Sequence, residues 1–222
     1  MKLREKIKAI QLRKKGKSYK EIREKITVSK GTLSVWLKDV KLTPEQEKRL
    51  YVELRRKYAY KGAKANQEKR IRITKQIISK AKSEVRSFIK NPLFLAGLIL
   101  YWAEGDKSDE QEAVKFTNSD PLLIVLMIKW FKKICRVPQH KFRVALHIHQ
   151  LHCRKNVENY WSKLTGISKK QFHKTQIKPT SLKHRKNKLY NGTCAVVVNN
   201  KNLFRRIKGW KLGALRKFRI DN

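Results

Sequence analysis

Five carboxylates, Glu104, Asp106, Asp109, Glu110 and Glu112, fall within nine positions of a chain that is otherwise strongly basic, and from Pro121 to Ile220 the only acidic residue is Glu158. Carboxylates beside a phosphate-binding surface are repulsive unless a divalent cation bridges them to the phosphate, as in metal-dependent phosphodiester hydrolysis. Glu104 is the sharpest candidate, because it ends an apolar run and precedes Gly105. An acid there is costly without a cation or base beside it. Lys107 and Lys115 are candidates for that partner, and either could instead polarise a phosphate. For Asp109, Glu110 and Glu112 the plainer role is to cap a helix end and solvate a loop. A second cluster is His147, His149, His152 and Cys153. His147 and His149 share a strand face, but no second ligand pair at zinc spacing accompanies them, which favours phosphate- or groove-facing histidines.

The background against which these groups stand is charge. Of 222 residues 56 are Lys or Arg and 17 Asp or Glu, a net charge of +39. Such a chain repels itself unless a polyanion normally lies against it, and the natural polyanions are DNA and RNA. Hydrophobic content of 40% with five Trp, eight Phe and seven Tyr provides for a packed core, so a merely disordered basic tail is excluded. An anionic membrane surface would call for a basic amphipathic helix or lipid anchor. No N-terminal segment resembles a signal peptide, and the apolar run Leu93 to Trp102 is too short to span a bilayer. The odd number of cysteines, Cys135, Cys153 and Cys194, has no CxxC pair, which fits a reducing cytoplasm and a nucleoid-associated protein. Neither an aromatic RNP pattern nor a GXXG loop appears, so double-stranded DNA is the expected partner.

Elements able to position these residues are punctuated in the sequence. Leu3, Ile7 and Ile10 recur at helical spacing and Gly16 stops the first helix. Ser18-Tyr19-Lys20-Glu21 is a capping box, opening a helix with Ile22 and Ile26 inward. Ser29 caps a third helix, whose stripe of Leu33, Trp36 and Leu37 leaves Lys30, Thr32, Ser34 and Lys38 free to contact a groove or phosphates. Residues 1–42 thus read as a helix-turn-helix. Thr43-Pro44-Glu45-Gln46 starts a long helix, polar on most faces, so residues 43–90 read as a basic connector until Asn91-Pro92 breaks it.

Beyond Pro92 the pattern is mixed. Strands are expected at about 113–118, 141–150, 171–178 and 193–198, with helices at about 93–105, 120–135, 154–165 and 200–209. Lys141 to His149 alternates Phe142, Val144, Leu146 and Ile148 with Lys141, Arg143, Ala145, His147 and His149. Ala113 to Asn118 splits likewise, Val114 and Phe116 against Lys115 and Thr117. An antiparallel sheet with helices on its apolar face would offer the other face to DNA, with Lys115, Thr117, Arg143, His147, His149, Lys174 and Lys188 as contacts. Residues 1–90 hold 29 of the basic side chains and residues 91–222 hold 27, so both parts face the polyanion.

The run Phe94-Leu95-Ala96-Gly97-Leu98-Ile99-Leu100-Tyr101-Trp102-Ala103-Glu104-Gly105 resembles the signature helix of the LAGLIDADG homing endonucleases. In that family the helix packs against a partner motif helix, and its final acid holds a catalytic divalent metal over the scissile phosphate. Glu104 occupies that place. Aligned from this end, the family's closely packed small positions fall near Leu98 and Ile99, whereas the literal Leu-Ala-Gly-Leu-Ile lies two residues earlier. The resemblance extends over roughly residues 92–210, following an order similar to the family's αββαββα domain. It departs in having one strand before the helix at Asp120 and an extra helix around Trp161. Residues 1–42 resemble the helix-turn-helix of resolvases and transposases.

The expected fold class is α+β: an all-α helix-turn-helix, a helical connector, a LAGLIDADG-like domain over 91–212 and a basic tail over 213–222. The resemblance implies a homodimer joined through the motif helix, with Glu104 as metal ligand for Mg2+ and Glu104, Lys107 and Lys115 as catalytic candidates. The alternative is a non-catalytic DNA-binding regulator on the same scaffold.

Overall fold

A computed structural model describes residues 2–150, 152–179 and 191–220. The chain is a mixed α+β protein of two compact units, divided at Ile71 and Arg72.

The first unit begins with α1 (Leu3–Lys14), α2 (Tyr19–Arg23) and α3 (Lys30–Leu37) around Ala9, Ile22, Ile26, Leu33 and Leu37. The sequence punctuation operates as expected. Gly16 takes φ +72°, and Ser18 and Glu21 form a reciprocal capping box. Ser29 Oγ accepts from Thr32 N at 3.0 Å. Leu3 and Ile7, two of the apolar residues that recur at helical spacing, are exposed, and α1 buries Ala9 and Arg13 instead. The Arg13 guanidinium donates to Lys17 O at 3.0 Å and to the Tyr51 hydroxyl at 3.3 Å.

Helix α4 (Pro44–Glu47) runs through a wider π-type stretch, Lys48–Glu53, into α5 (Leu54–Phe88). The sequence places a domain boundary at 42, yet this segment belongs to the corner between α1 and α2. Gln46 Nε2 donates to Lys14 O at 3.0 Å, and Arg49 donates to Gly16 O and to Glu21 Oε1, each at 2.7 Å. Burial works against ionisation of Glu21. The Ser18 backbone N–H and hydroxyl, with Arg49, outweigh it and hold the pKa at about 2.

In the second unit, α6 (Pro92–Glu104), α7 (Pro121–Lys133) and α9 (Lys201–Lys217) cover one face of a four-stranded sheet. Its strands are β1 (Val114–Asn118), β2 (Phe142–His149), β3 (Gln176–Lys178) and β4 (Thr193–Val198), in spatial order β1-β4-β2-β3. Both β1 and β2 pair antiparallel with β4, but β3 runs parallel to β2, which corrects the expected all-antiparallel sheet. The reversal follows from the intervening helix α8 (Arg154–Thr165), a crossover that lets the chain return in the same direction. Of the expected strand at 171–178 only 176–178 forms a continuous ladder, and Phe172 adds an isolated parallel bridge to Val144.

Two further departures concern helices. The connector expected over 43–90 is not exposed throughout: Ala81 and Val85 are buried against α9. Helix α9 runs on to Lys217, so the residues expected to begin a tail at 213 are helical, with Gly213 and Ala214 buried. A glycine is required at each contact, since a Cβ on Gly209 would lie 2.8 Å from Ile78 O and one on Gly213 2.8 Å from Lys82 O. The core beneath is aromatic, with Phe94, Tyr101, Trp130, Phe131, Phe142 and Trp210 in ring contact.

Candidate nucleic-acid interface

On α3 the buried Leu33 and Leu37 turn the opposite side to solvent, leaving Lys30, Ser34 and Lys38 exposed and Thr32 half-buried. Thr32 is partly committed to the cap, its hydroxyl 2.8 Å from Ser29 Oγ. Two exposed residues of this face, Gly31 and Val35, were not among the sequence candidates.

The sheet brings most of the remaining candidates together. Because Val114, Phe116, Phe142, Val144 and Leu146 are buried under the helices, the alternate residues lie on the other face. Register places Lys115 and Arg143 on either side of Val197, and Thr117 and Ala145 on either side of Ala195. His147 stands opposite Thr193 on one side and Gln176 on the other. Small side chains on the central strand thus lie between two rims of cationic and polar groups. The Arg143 guanidinium is anchored at the start of β2, donating to His140 O at 2.8 Å and Phe142 O at 2.7 Å. Burial lowers the pKa of His147, the Lys178 and Lys115 ammonium groups lower it further, and its hydrogen bond with Gln176 acts the other way. Its Nδ1 is buried with no hydrogen-bond partner among the described residues.

His149 shares the strand parity of His147 but is 8% exposed, with its ring near that of His152 and its backbone N–H donating to His152 Nδ1 at 3.2 Å. It is therefore set into the unit rather than offered to a groove. Lys174 is exposed between Phe172 and β3, and Lys188 lies outside the described residues. Lys178, which sequence reasoning omitted, joins the face beside His149 through the parallel β2–β3 register. No sequence signal marks that pairing, because a three-residue strand has too short an alternation to read.

The acidic window divides. Glu112 makes a bidentate ion pair with Arg205 at 2.6 and 2.8 Å, both side chains buried. Asp109 binds Lys208 at 2.7 and 2.8 Å, and Asp106 Oδ1 accepts from Ser108 N at 2.9 Å. These acids fasten α9 and a turn. Glu104 is exposed at the end of α6, with no hydrogen bond or ion pair among the described residues, and Glu110 is also exposed. Lys107 bends back to Ala103 O at 3.3 Å. A bridge between Gly105 and Phe116, with Asp106 N donating to Lys115 O at 2.9 Å, carries the end of α6 to the β1 edge. Glu104, Lys107 and Lys115 are therefore neighbours in the fold. Among the described residues no group of three or more His, Cys, Asp and Glu side chains is placed to hold a metal ion.

Helix α6 turns Phe94, Gly97, Leu98 and Tyr101 inward. Gly97 is filled by Trp130, whose Cδ1 would lie 2.1 Å from an added Cβ, so the literal glycine packs within its own unit. Outward stand Ile99, 55% exposed, and Trp102, 41% exposed, with Lys211 Nζ 5.6 Å from the Trp102 ring centre. Ala103 is exposed beside them. Among the described residues no helix is long and apolar enough to cross a membrane. Comparison with protein-family models, curated proteins and solved structures returns no match for this chain.

Proposed function

We propose that this chain binds double-stranded DNA, using the exposed side of α3 in one unit and the outer face of the sheet in the other. The observation that carries the proposal is the register of β1, β4 and β2, which sets Lys115, Thr117, Arg143 and His147 on the face the helices leave uncovered. A face of cations and hydrogen-bonding groups in a chain of net charge +39 has phosphate as its complement.

The resemblance to single-motif LAGLIDADG endonucleases extends the proposal to a homodimer joined through α6. Support comes from the exposed apolar side formed by Ile99, Trp102 and Ala103. In such a dimer each Glu104 would hold Mg2+ and each copy would act on one strand, with Lys107 and Lys115 near the phosphate. A non-catalytic DNA-binding regulator is the second reading. What favours it is the employment of Asp106, Asp109 and Glu112 in contacts within the unit, which leaves Glu104 as the motif's own uncommitted carboxylate.

Incubating the protein with a duplex DNA pool and Mg2+ separates the two. Cleavage that disappears in Glu104→Gln while binding persists supports the endonuclease. Binding without cleavage in wild type supports the regulator, and absence of salt-sensitive DNA binding overturns both.

A further inference from the structure

We propose that α3 reads thymine in the major groove, with Val35 seated against the C5 methyl of the base. The inference rests on the DNA-binding reading above and concerns what the exposed side of that helix recognises.

Val35 is 69% exposed and sits between Ser34 and Trp36 on a helix whose apolar needs are already met by Leu33 and Leu37. A β-branched side chain is neither a strong helix former nor at ease in water, so the fold gains nothing from it there. Gly31, Ser34, Val35 and Lys38 recur at helical spacing as one exposed stripe. A Cβ on Gly31 would meet only Ser29 Oγ, at 3.7 Å, so packing does not require this glycine although it weakens the helix. What the bare position does permit is close approach of another surface to the first turn of α3. The stripe then offers an adaptable hydroxyl, an isopropyl group and an ammonium. Among major-groove edges only thymine presents a methyl group, the complement of the isopropyl.

A separate feature supplies the orientation. An open depression of about 470 Å3 adjoins the start of α3, lined by Lys2, Arg23, Ser29 and Thr32 among others. Lys2 Nζ donates to Thr27 O at 3.3 Å and Arg23 Nε to Val28 O at 3.2 Å, which holds both cations at its rim. A backbone phosphate between them would bring α3 to the duplex by its N-terminal turn, where Gly31 lies, with Ser34 and Val35 one turn further along the same stripe.

The test uses the full chain to select a preferred duplex from a random pool, then replaces each thymine of that site singly with deoxyuridine, which removes only the methyl. Wild type should bind about fourfold more weakly at one such position, the worth of one methyl withdrawn from water. Val35→Ala should bind the thymine and deoxyuridine forms alike, while Ser34→Ala keeps the preference. Thermal melts of each variant check that the fold is intact. An equal thymine preference in wild type and Val35→Ala overturns the proposal, as does selection that yields no preferred sequence. In that second case salt-sensitive binding to unselected duplex would leave the DNA-binding reading standing, and its absence would remove both.

Discussion

His147 is placed to report on the sheet face. Burial first, and then the Lys178 and Lys115 ammonium groups, lower its pKa from the ordinary 6.5, so it is largely neutral at neutral pH in the free protein. A DNA phosphate beside it would offset those ammonium groups and raise the pKa, so binding would take up a proton. Affinity should therefore rise as the pH is lowered from about 8 to about 5.5, and His147→Ala should flatten that dependence in a fluorescence-anisotropy titration. Without DNA the sign for stability is opposite. The unfolded chain takes the proton first, so the fold loses stability as the pH drops below 6.5. The pair of Glu112 and Arg205, both side chains 8% exposed, makes a second prediction. Glu112→Gln should destabilise the protein by roughly 3–5 kcal/mol in urea denaturation, because it strands a buried guanidinium. Replacing both partners with apolar residues should cost less.

At the scale of elements, the contact between α5 and α9 depends on two glycines. Gly213→Val would drive a branched side chain into Val85 and the Lys82 carbonyl, and should destabilise the second unit by roughly 1–3 kcal/mol or more. The melting of Gly213→Val against a Gly62→Ala control measures this, since Gly62 has nothing near its Cβ position. The same contact explains why 43–90 reads as one exposed connector. Ile73, Ile77, Ala81, Val85 and Phe88 do recur at helical spacing, but Lys75, Lys80, Lys82 and Arg86 are interleaved with them, and the seat itself comes from glycines four residues apart on α9 that admit its backbone. Caps were far more legible. Ser18, Ser29, Thr43 and Asp120 each accept the local backbone bond that their spacing to the next residues implies, since a cap is decided within a few residues.

For the molecule as a whole, charge predicts a steep salt response. DNA affinity should fall by orders of magnitude between roughly 50 and 200 mM salt if six or more phosphates are neutralised, and a nearly flat response would contradict DNA binding. The proposed dimer has its own measurement. Sedimentation of wild type on DNA should report two copies, and Ile99→Asp should leave monomers, because a carboxylate would be buried in the joint between the two α6 helices. A monomer both free and on DNA in wild type would remove the shared site at Glu104.

Charge, the helical punctuation of the first forty residues, and the alternation in β1 and β2 are local or additive properties. The sequence by itself therefore determined the capped helices and the inward faces of those two strands, and its charge is what the proposed polyanionic partner rests on. It did not determine the parallel seat of β3, the inward turn of Gly97 against Trp130, the burial of His149 or the engagement of Glu112 with Arg205. Each of these depends on residues far apart in the chain meeting at contact distance, and neither composition nor periodicity carries that information. The acidic window is the plainest case. Position in the sequence already set Glu104 apart from Asp109, Glu110 and Glu112, but only packing decided that Glu112 and Asp109 pair with Arg205 and Lys208 on α9 while Glu104 and Glu110 stay exposed.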